Sequence, residues 1–254
     1  VNRAPRLSRS GIEYIDFSWG IFSGCRNLEL GICPVKACWA KGISLHYPKL
    51  YPDGFEPHYY PEAINSPLHL KKPSRIAVGW VGDIIGYGLE YRDEIFDTIL
   101  NCPQHTFLFL TKNPENLTNW GDFPPNCDVG VTATNTRMII KAGKTLEGIV
   151  ARVKYISIEP FFEWQHGNTE FIATMLQKWG INWLIIGAQT RPTVMPKIEW
   201  VREIVEAADK AGVKVFLKEN LRSLFTDWTL PEWAMFGRQR NKEHPLHFRQ
   251  EMPQ

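Results

Sequence analysis

The feature that most constrains this chain is a rhythm. Short, β-prone apolar runs alternate with longer amphipathic stretches along most of its 254 residues, as in βα units wound around a parallel sheet. The runs are Ile12–Phe17, Arg75–Trp80, Thr106–Leu110, Cys127–Thr132, Lys154–Ile158, Asn182–Ile186 and Lys214–Leu217. Several are almost uninterrupted, such as Trp183-Leu184-Ile185-Ile186, and strands buried on both faces read this way. Between them, Tyr91–Leu100, Thr169–Trp179 and Ile198–Ala211 carry apolar residues at helical spacing. Asn168 is placed to cap the second helix and Gly212 to stop the third. The pattern predicts an α/β fold, a partial (β/α) barrel of about six to seven parallel strands. A doubly wound open sheet produces the same pattern and stays open as the alternative. No repeat or linker breaks the chain, so residues 1–254 are expected to form one domain, with 225–254 as an irregular cap.

Apolar residues make up 44% of the chain, ordinary for a folded globular protein, and Lys plus Arg outnumber Asp plus Glu by only 29 to 27. That balance neither demands a nucleic-acid partner nor excludes a local basic groove. No stretch approaches bilayer length. The opening residues carry three arginines without an apolar run behind them, unlike a secretory signal. No membrane association is expected, and the cytoplasm is the expected compartment.

Of five cysteines, Cys25, Cys33 and Cys38 fall together with C-x7-C-x4-C spacing directly after the first run, while Cys102 and Cys127 stand alone. An odd count argues against a disulfide framework. The isolated pair reads as small core residues. Three clustered thiols suit a soft metal or an iron–sulfur cluster, and Gly24, Gly31 and Pro34 favour a looped backbone around it. The same thiols with His46 could instead form a structural zinc site, although zinc commonly takes closely paired cysteines.

The ordered series of motifs resembles the phage- and prokaryote-associated three-cysteine-motif proteins, which are related to radical S-adenosylmethionine enzymes and the spore photoproduct lyase group. It runs through Trp19, Gly24-Cys25, Cys33 and Cys38-Trp39-Ala40, then Pro67-Leu68 and Lys72-Pro73-Ser74-Arg75-Ile76. It continues through Gly82-Asp83, Pro103-Gln104-His105-Thr106-Phe107, Leu110-Thr111-Lys112-Asn113-Pro114-Glu115 and Gly130-Val131-Thr132 with Asn135. Ser157-Ile158-Glu159-Pro160, Ile185-Ile186-Gly187 and Phe216-Leu217-Lys218 complete it. Both cysteine gaps are wider here than in that family, and Gly187-Ala188-Gln189-Thr190 stands where it has Gly-Gly-Glu-Ser.

The resemblance implies a radical S-adenosylmethionine enzyme. Cys25, Cys33 and Cys38 would hold a [4Fe-4S] cluster whose open iron takes S-adenosyl-L-methionine. A parallel barrel gathers ligands at the carboxyl ends of its strands, and Asp83, Lys112, Thr132, Thr134, Asn135, Glu159, Gln189, Lys218 and Glu219 each follow an apolar run. By chemistry, Asp83 and the Gly82 backbone suit the cofactor's ammonium, and Thr132 and Asn135 its ribose hydroxyls or carboxylate. Trp39 suits the adenine, and Glu159 joins the cofactor set. Lys112, Gln189 and Lys218 are assigned to substrate. No residue is assigned to catalysis itself. The implied partners are a reductant or electron-donor protein and a substrate of unknown class, with nucleic acid, a nucleobase or a peptide all open. The rival reading is a non-catalytic, zinc- or cluster-stabilised nucleic-acid-binding barrel, suggested by ten tryptophans and by Lys71-Lys72 and Arg238-Gln239-Arg240.

Overall fold

The computed structural model describes residues 6–165, 167, 169–225, 230–235 and 248–253. The chain divides into two compact units, Val1–Val131 with Gly148–Val153, and Thr132–Glu147 with Lys154–Gln254. It is a mixed α/β protein whose strands are mostly parallel.

The strands of the first unit are β1 (Leu7–Arg9), β2 (Phe17–Trp19), β3 (Phe22–Gly24), β4 (His58–Tyr59), β5 (Arg75–Val78), β6 (Val81–Gly82), β7 (Thr106–Thr111) and β8 (Cys127–Thr132), whose last residue belongs to the second unit. Its helices are α1 (Trp39–His46), α2 (Ile84–Tyr87) and α3 (Arg92–Leu100). The main sheet runs β1-β2-β5-β7-β8. Only the β1–β2 pair is antiparallel; the others are parallel. A small second sheet, β4-β3-β6, places β3 parallel to β6. Cys102 and Cys127 are buried, as small core residues should be.

The first strand departs from expectation. Only Phe17 of Ile12–Phe17 lies in it. Ser10 accepts the Ile12 amide on its hydroxyl, and its own amide donates to the Asp16 carbonyl. This closes a turn that seats Tyr14 and Ile15 in the core without ladder bonds. The antiparallel register Leu7↔Trp19 then sets where the strand begins.

The second unit contains α4 (Thr136–Glu147), β9 (Val153–Ile158), α5 (Thr169–Lys178), β10 (Trp183–Ile186), β11 (Gln189–Thr190), β12 (Thr193–Val194), α6 (Ile198–Ala211) and β13 (Lys214–Leu217). β10 pairs in parallel with β9 on one side and β13 on the other, and all four of its side chains are buried. β11 and β12 form an exposed hairpin. Gly212 ends α6 with φ 71°, the left-handed conformation that glycine adopts at little cost. α5 packs on α6, and α4 packs on α5. α4 is a helix the sequence pattern missed, and Gly143 within it lies flat against the Trp179 indole. The cap expected at Asn168 lies outside the described residues, as do Arg238-Gln239-Arg240 and most of 225–254.

Within each unit, the parallel strands are ordered as they occur in the chain. A doubly wound sheet reverses strand order at a switch point, and neither run contains such a reversal. No closed barrel is seen among the described residues. No helix among them is long and apolar enough to cross a membrane.

Candidate cysteine site

The site in the first unit starts from two glycines. β3 ends at Gly24, φ 81°, and β6 ends at Gly82. A Cβ on Gly82 would meet Gly24 O at 2.5 Å, and one on Gly24 would meet Glu56 O at 2.1 Å. Only residues without a side chain let these backbones approach. The register Gly24↔Gly82 therefore sends Cys25 and Asp83 off the ends of paired strands, and the Asp83 amide donates to Gly24 O.

Asp83 is 4% exposed and takes four internal donors. Asn27 Nδ2 (2.6 Å), Thr111 Oγ1 (3.0 Å) and the Lys112 amide (3.0 Å) donate to its Oδ2. The Gly86 amide donates to Oδ1 and begins α2. A buried carboxylate is stable when its lone pairs are filled in this way. The carboxylate assigned to the cofactor's ammonium is thus also the pin that joins the cysteine loop, α2 and the end of β7.

Asn27 organises the cysteine loop. Its carbonyl accepts the amides of Ile32 and Cys33, its Nδ2 reaches Asp83, and its Oδ1 accepts the Tyr87 hydroxyl at 2.8 Å. Cys25 is anchored by its amide to Phe55 O. Cys38 caps α1, with Sγ accepting the Lys41 amide at 3.5 Å.

All three thiols are free and partly buried. Burial pushes the Cys25 thiol up to about 11; the Asn27 amide opposes this, and Asp83, Cys38 and Cys33 add to it. Burial also raises Cys33, where the Lys112 ammonium and the Val35 amide pull the other way. The Cys25 and Cys33 thiols thus sit in the field of neighbouring cysteines and of Asp83. This donor set has the chemistry of a soft-metal site, because a cation among such groups favours all their ionised forms together. The three side chains do not converge tightly: among the described residues, no three His, Cys, Asp or Glu side chains form a group that could hold a metal ion as they stand. His46, the candidate fourth zinc ligand, is exposed on α1 with its ring edge-on to Tyr47 at 4.7 Å.

The first unit places Cys25, Cys33, Cys38, Gly82, Asp83 and Lys112 in one neighbourhood without converging the thiols on a point. Trp39 opens α1 next to Cys38 and is 56% exposed. In the second unit, Glu159 at the end of β9 meets Lys218 at the end of β13: Lys218 Nζ donates to Glu159 Oε1 at 2.7 Å, joined by Asn220 Nδ2 at 3.3 Å. Gly187 leaves the space for that carboxylate, since a Cβ there would meet Oε1 at 2.9 Å. Thr132 is buried, and its hydroxyl has no hydrogen-bond partner among the described residues. Asn135 caps α4 by accepting the Met138 amide. Gln189 lies in the β11–β12 hairpin, where its amide donates to Pro192 O. Asn27, Tyr87, Thr111 and Asn220 were missed by sequence reasoning. Asn27 sits between two of the cysteines and carried the one available signal, a polar residue in a loop that needs an internal anchor.

A family model described as "Protein of unknown function (DUF5131)" matches residues 9–234. No curated protein and no solved structure matches the chain.

Proposed function

The chain belongs to the DUF5131 family of proteins of unknown function, and from its own residues we propose that it is a radical S-adenosylmethionine enzyme built on a partial (β/α) barrel. Parallel strands that follow chain order within each unit support the barrel reading. The observation that carries the functional reading is the grouping of three free, partly buried thiols with Asp83 and Lys112 at the ends of β3, β6 and β7.

In this reading, Cys25, Cys33 and Cys38 hold a [4Fe-4S] cluster. A [4Fe-4S] cluster held there would supply the single electron that cleaves S-adenosylmethionine reductively, and the carbon radical so released would take the hydrogen atom from the substrate. The chain's own residues position and shield. Asn27 and Asp83 hold the loop between the first two cysteines in one conformation. The Lys112 ammonium favours the Cys33 thiolate. Trp39 offers an open aromatic face for the adenine. Gly82 completes the cofactor set of the first unit, and Lys112 is the residue of that unit assigned to the substrate.

The test is anaerobic reconstitution with iron and sulfide, followed by incubation with dithionite and S-adenosylmethionine. Deoxyadenosine and methionine are the expected products. Zinc as the sole tightly held metal would favour the rival binding-protein reading. A cluster that yields no deoxyadenosine under any reductant would remove the catalytic role.

A further inference from the structure

Half of the exposed large apolar side chains among the described residues fall within residues 28–50, the segment that carries the cysteines: Leu28, Leu30, Trp39, Leu45, Tyr47 and Leu50. Leu30 and Leu45 are each more than 60% exposed. α1 buries Ala40 and Ser44 against the small sheet and turns Trp39, Gly42, Leu45 and His46 away from it. A Cβ on Gly31 or Gly42 would meet nothing within 4 Å, so the backbone there is also uncovered. Exposed apolar side chains gathered in one segment, rather than scattered singly, are what a contact surface offers.

The charges around it are one-sided. Lys36, Lys41 and Lys49 lie within the segment, with Glu29 the one acidic residue among 24–50. Arg26 is paired with Glu56, while the three lysines have no ion-pair partner among the described residues. An apolar centre with a basic rim matches a protein partner with an apolar centre and an acidic rim. Two copies of this chain would bring like charges together. A nucleic acid would use the lysines and the two aromatics but leave four leucines unmatched.

Resting on the proposed cluster, we infer that this face is the docking surface for a small acidic electron-donor protein. Its position supports that role. Leu30 lies three residues before Cys33, and Trp39 directly follows Cys38, so a partner seated on these side chains touches the segment whose thiols would hold the cluster. Redox encounters are commonly small and steered by charge, which suits a patch confined to one loop and one short helix.

The test uses a low-potential acidic flavoprotein of the flavodoxin class as probe. It is titrated first into the metal-free protein, then used as hydroquinone to reduce the reconstituted protein, with dithionite in parallel. Lys36→Glu/Lys49→Glu is the variant, since both residues are exposed. Binding and protein-driven reduction should each fall by about tenfold or more in the variant and again at high salt, while dithionite reduction stays unchanged. Equal, salt-insensitive affinity in wild type and variant would overturn the inference. So would displacement of the flavoprotein by a short single-stranded oligodeoxythymidine that itself binds tightly, which would assign the face to nucleic acid. Failure of dithionite to reduce anything in the reconstituted protein would remove the cluster, and with it the electron-transfer role, whatever the binding result.

Discussion

Replacing Gly82 by alanine tests the contact on which the cysteine site is built. The added Cβ would lie 2.5 Å from Gly24 O, 2.6 Å from Gly24 N and 2.7 Å from the Ser23 carbonyl carbon. All three are backbone atoms, so no side chain can swing aside. Ordinary contact needs about 3.5–4 Å, and β3 and β6 must therefore separate by roughly 1 Å. That movement stretches the short parallel ladder and the bond from the Asp83 amide to Gly24 O. Overpacking a rigid contact costs about 1–3 kcal/mol, and each weakened hydrogen bond about 0.5–1.5 kcal/mol more. A total loss of about 2–4 kcal/mol is expected. The matched control is Gly42→Ala in α1, where the new methyl meets nothing within 4 Å and helix propensity predicts a gain of about 0.5–1 kcal/mol. Equilibrium urea unfolding followed by tryptophan fluorescence measures both, and iron uptake on reconstitution reads the site. Gly82→Ala should hold less iron than wild type, because Cys25 and Asp83 leave these paired strand ends. A Gly82→Ala protein with wild-type stability and full iron content would refute the reasoning.

Alanine at Cys25, Cys33 or Cys38 should each abolish cluster binding, whereas alanine at Cys102 or Cys127 should leave the iron content intact; elemental analysis after reconstitution decides this. Gly143→Ala should destabilise despite its better helix propensity, because its Cβ would lie 2.0 Å from the Trp179 ring, which is 1% exposed; a loss of about 1–3 kcal/mol should lower Tm, and an unchanged or raised Tm would contradict the packing. Asp128 is fully buried, and burial pushes its carboxyl up to about 6 although Arg152 and Arg75 pull it down. A pKa raised on folding means that the native state holds the proton more tightly. Its stabilising effect is complete below about 3.9, the unfolded value, and is lost as pH rises through about 6, a difference of about 3 kcal/mol. Asp128→Asn should remove that downward slope of stability between about pH 4 and 6, and urea titrations showing the same slope in both proteins would sink the assignment.

The sequence by itself determined the buried strands and the helix that ends on a glycine stop. Cys127–Thr132 and Lys214–Leu217 form strands with the expected bounds, Trp183–Ile186 lies within the expected run, and α6 spans Ile198–Ala211 as read. In each, burial follows the residue's own neighbours in sequence, through an apolar run or a helical period, with a glycine stop for α6. The close spacing of Cys25, Cys33 and Cys38 is read from the sequence alone, whereas in the fold their side chains do not converge tightly. Tertiary structure decided the rest. The carboxylate of Asp83 is filled by Asn27, 56 residues away, and by Thr111, 28 residues away, and no local pattern marks either as its donor. Gly24 and Gly82 are ordinary glycines until pairing of β3 with β6 brings their backbones within a distance no Cβ allows. The start of the first strand moved because pairing with β1, not apolarity, sets its register. α4 escaped notice although Ile139, Ala142 and Leu146 keep helical spacing on its buried face; Gly143, a weak helix former, sits on that same face because Trp179 packs against it. Packing of Ala40 and Ser44 beneath α1, which the sequence does not announce, is what leaves Trp39 facing out. Local periodicity encodes which residues leave water; which groups then meet depends on chain crossings that only the folded backbone specifies.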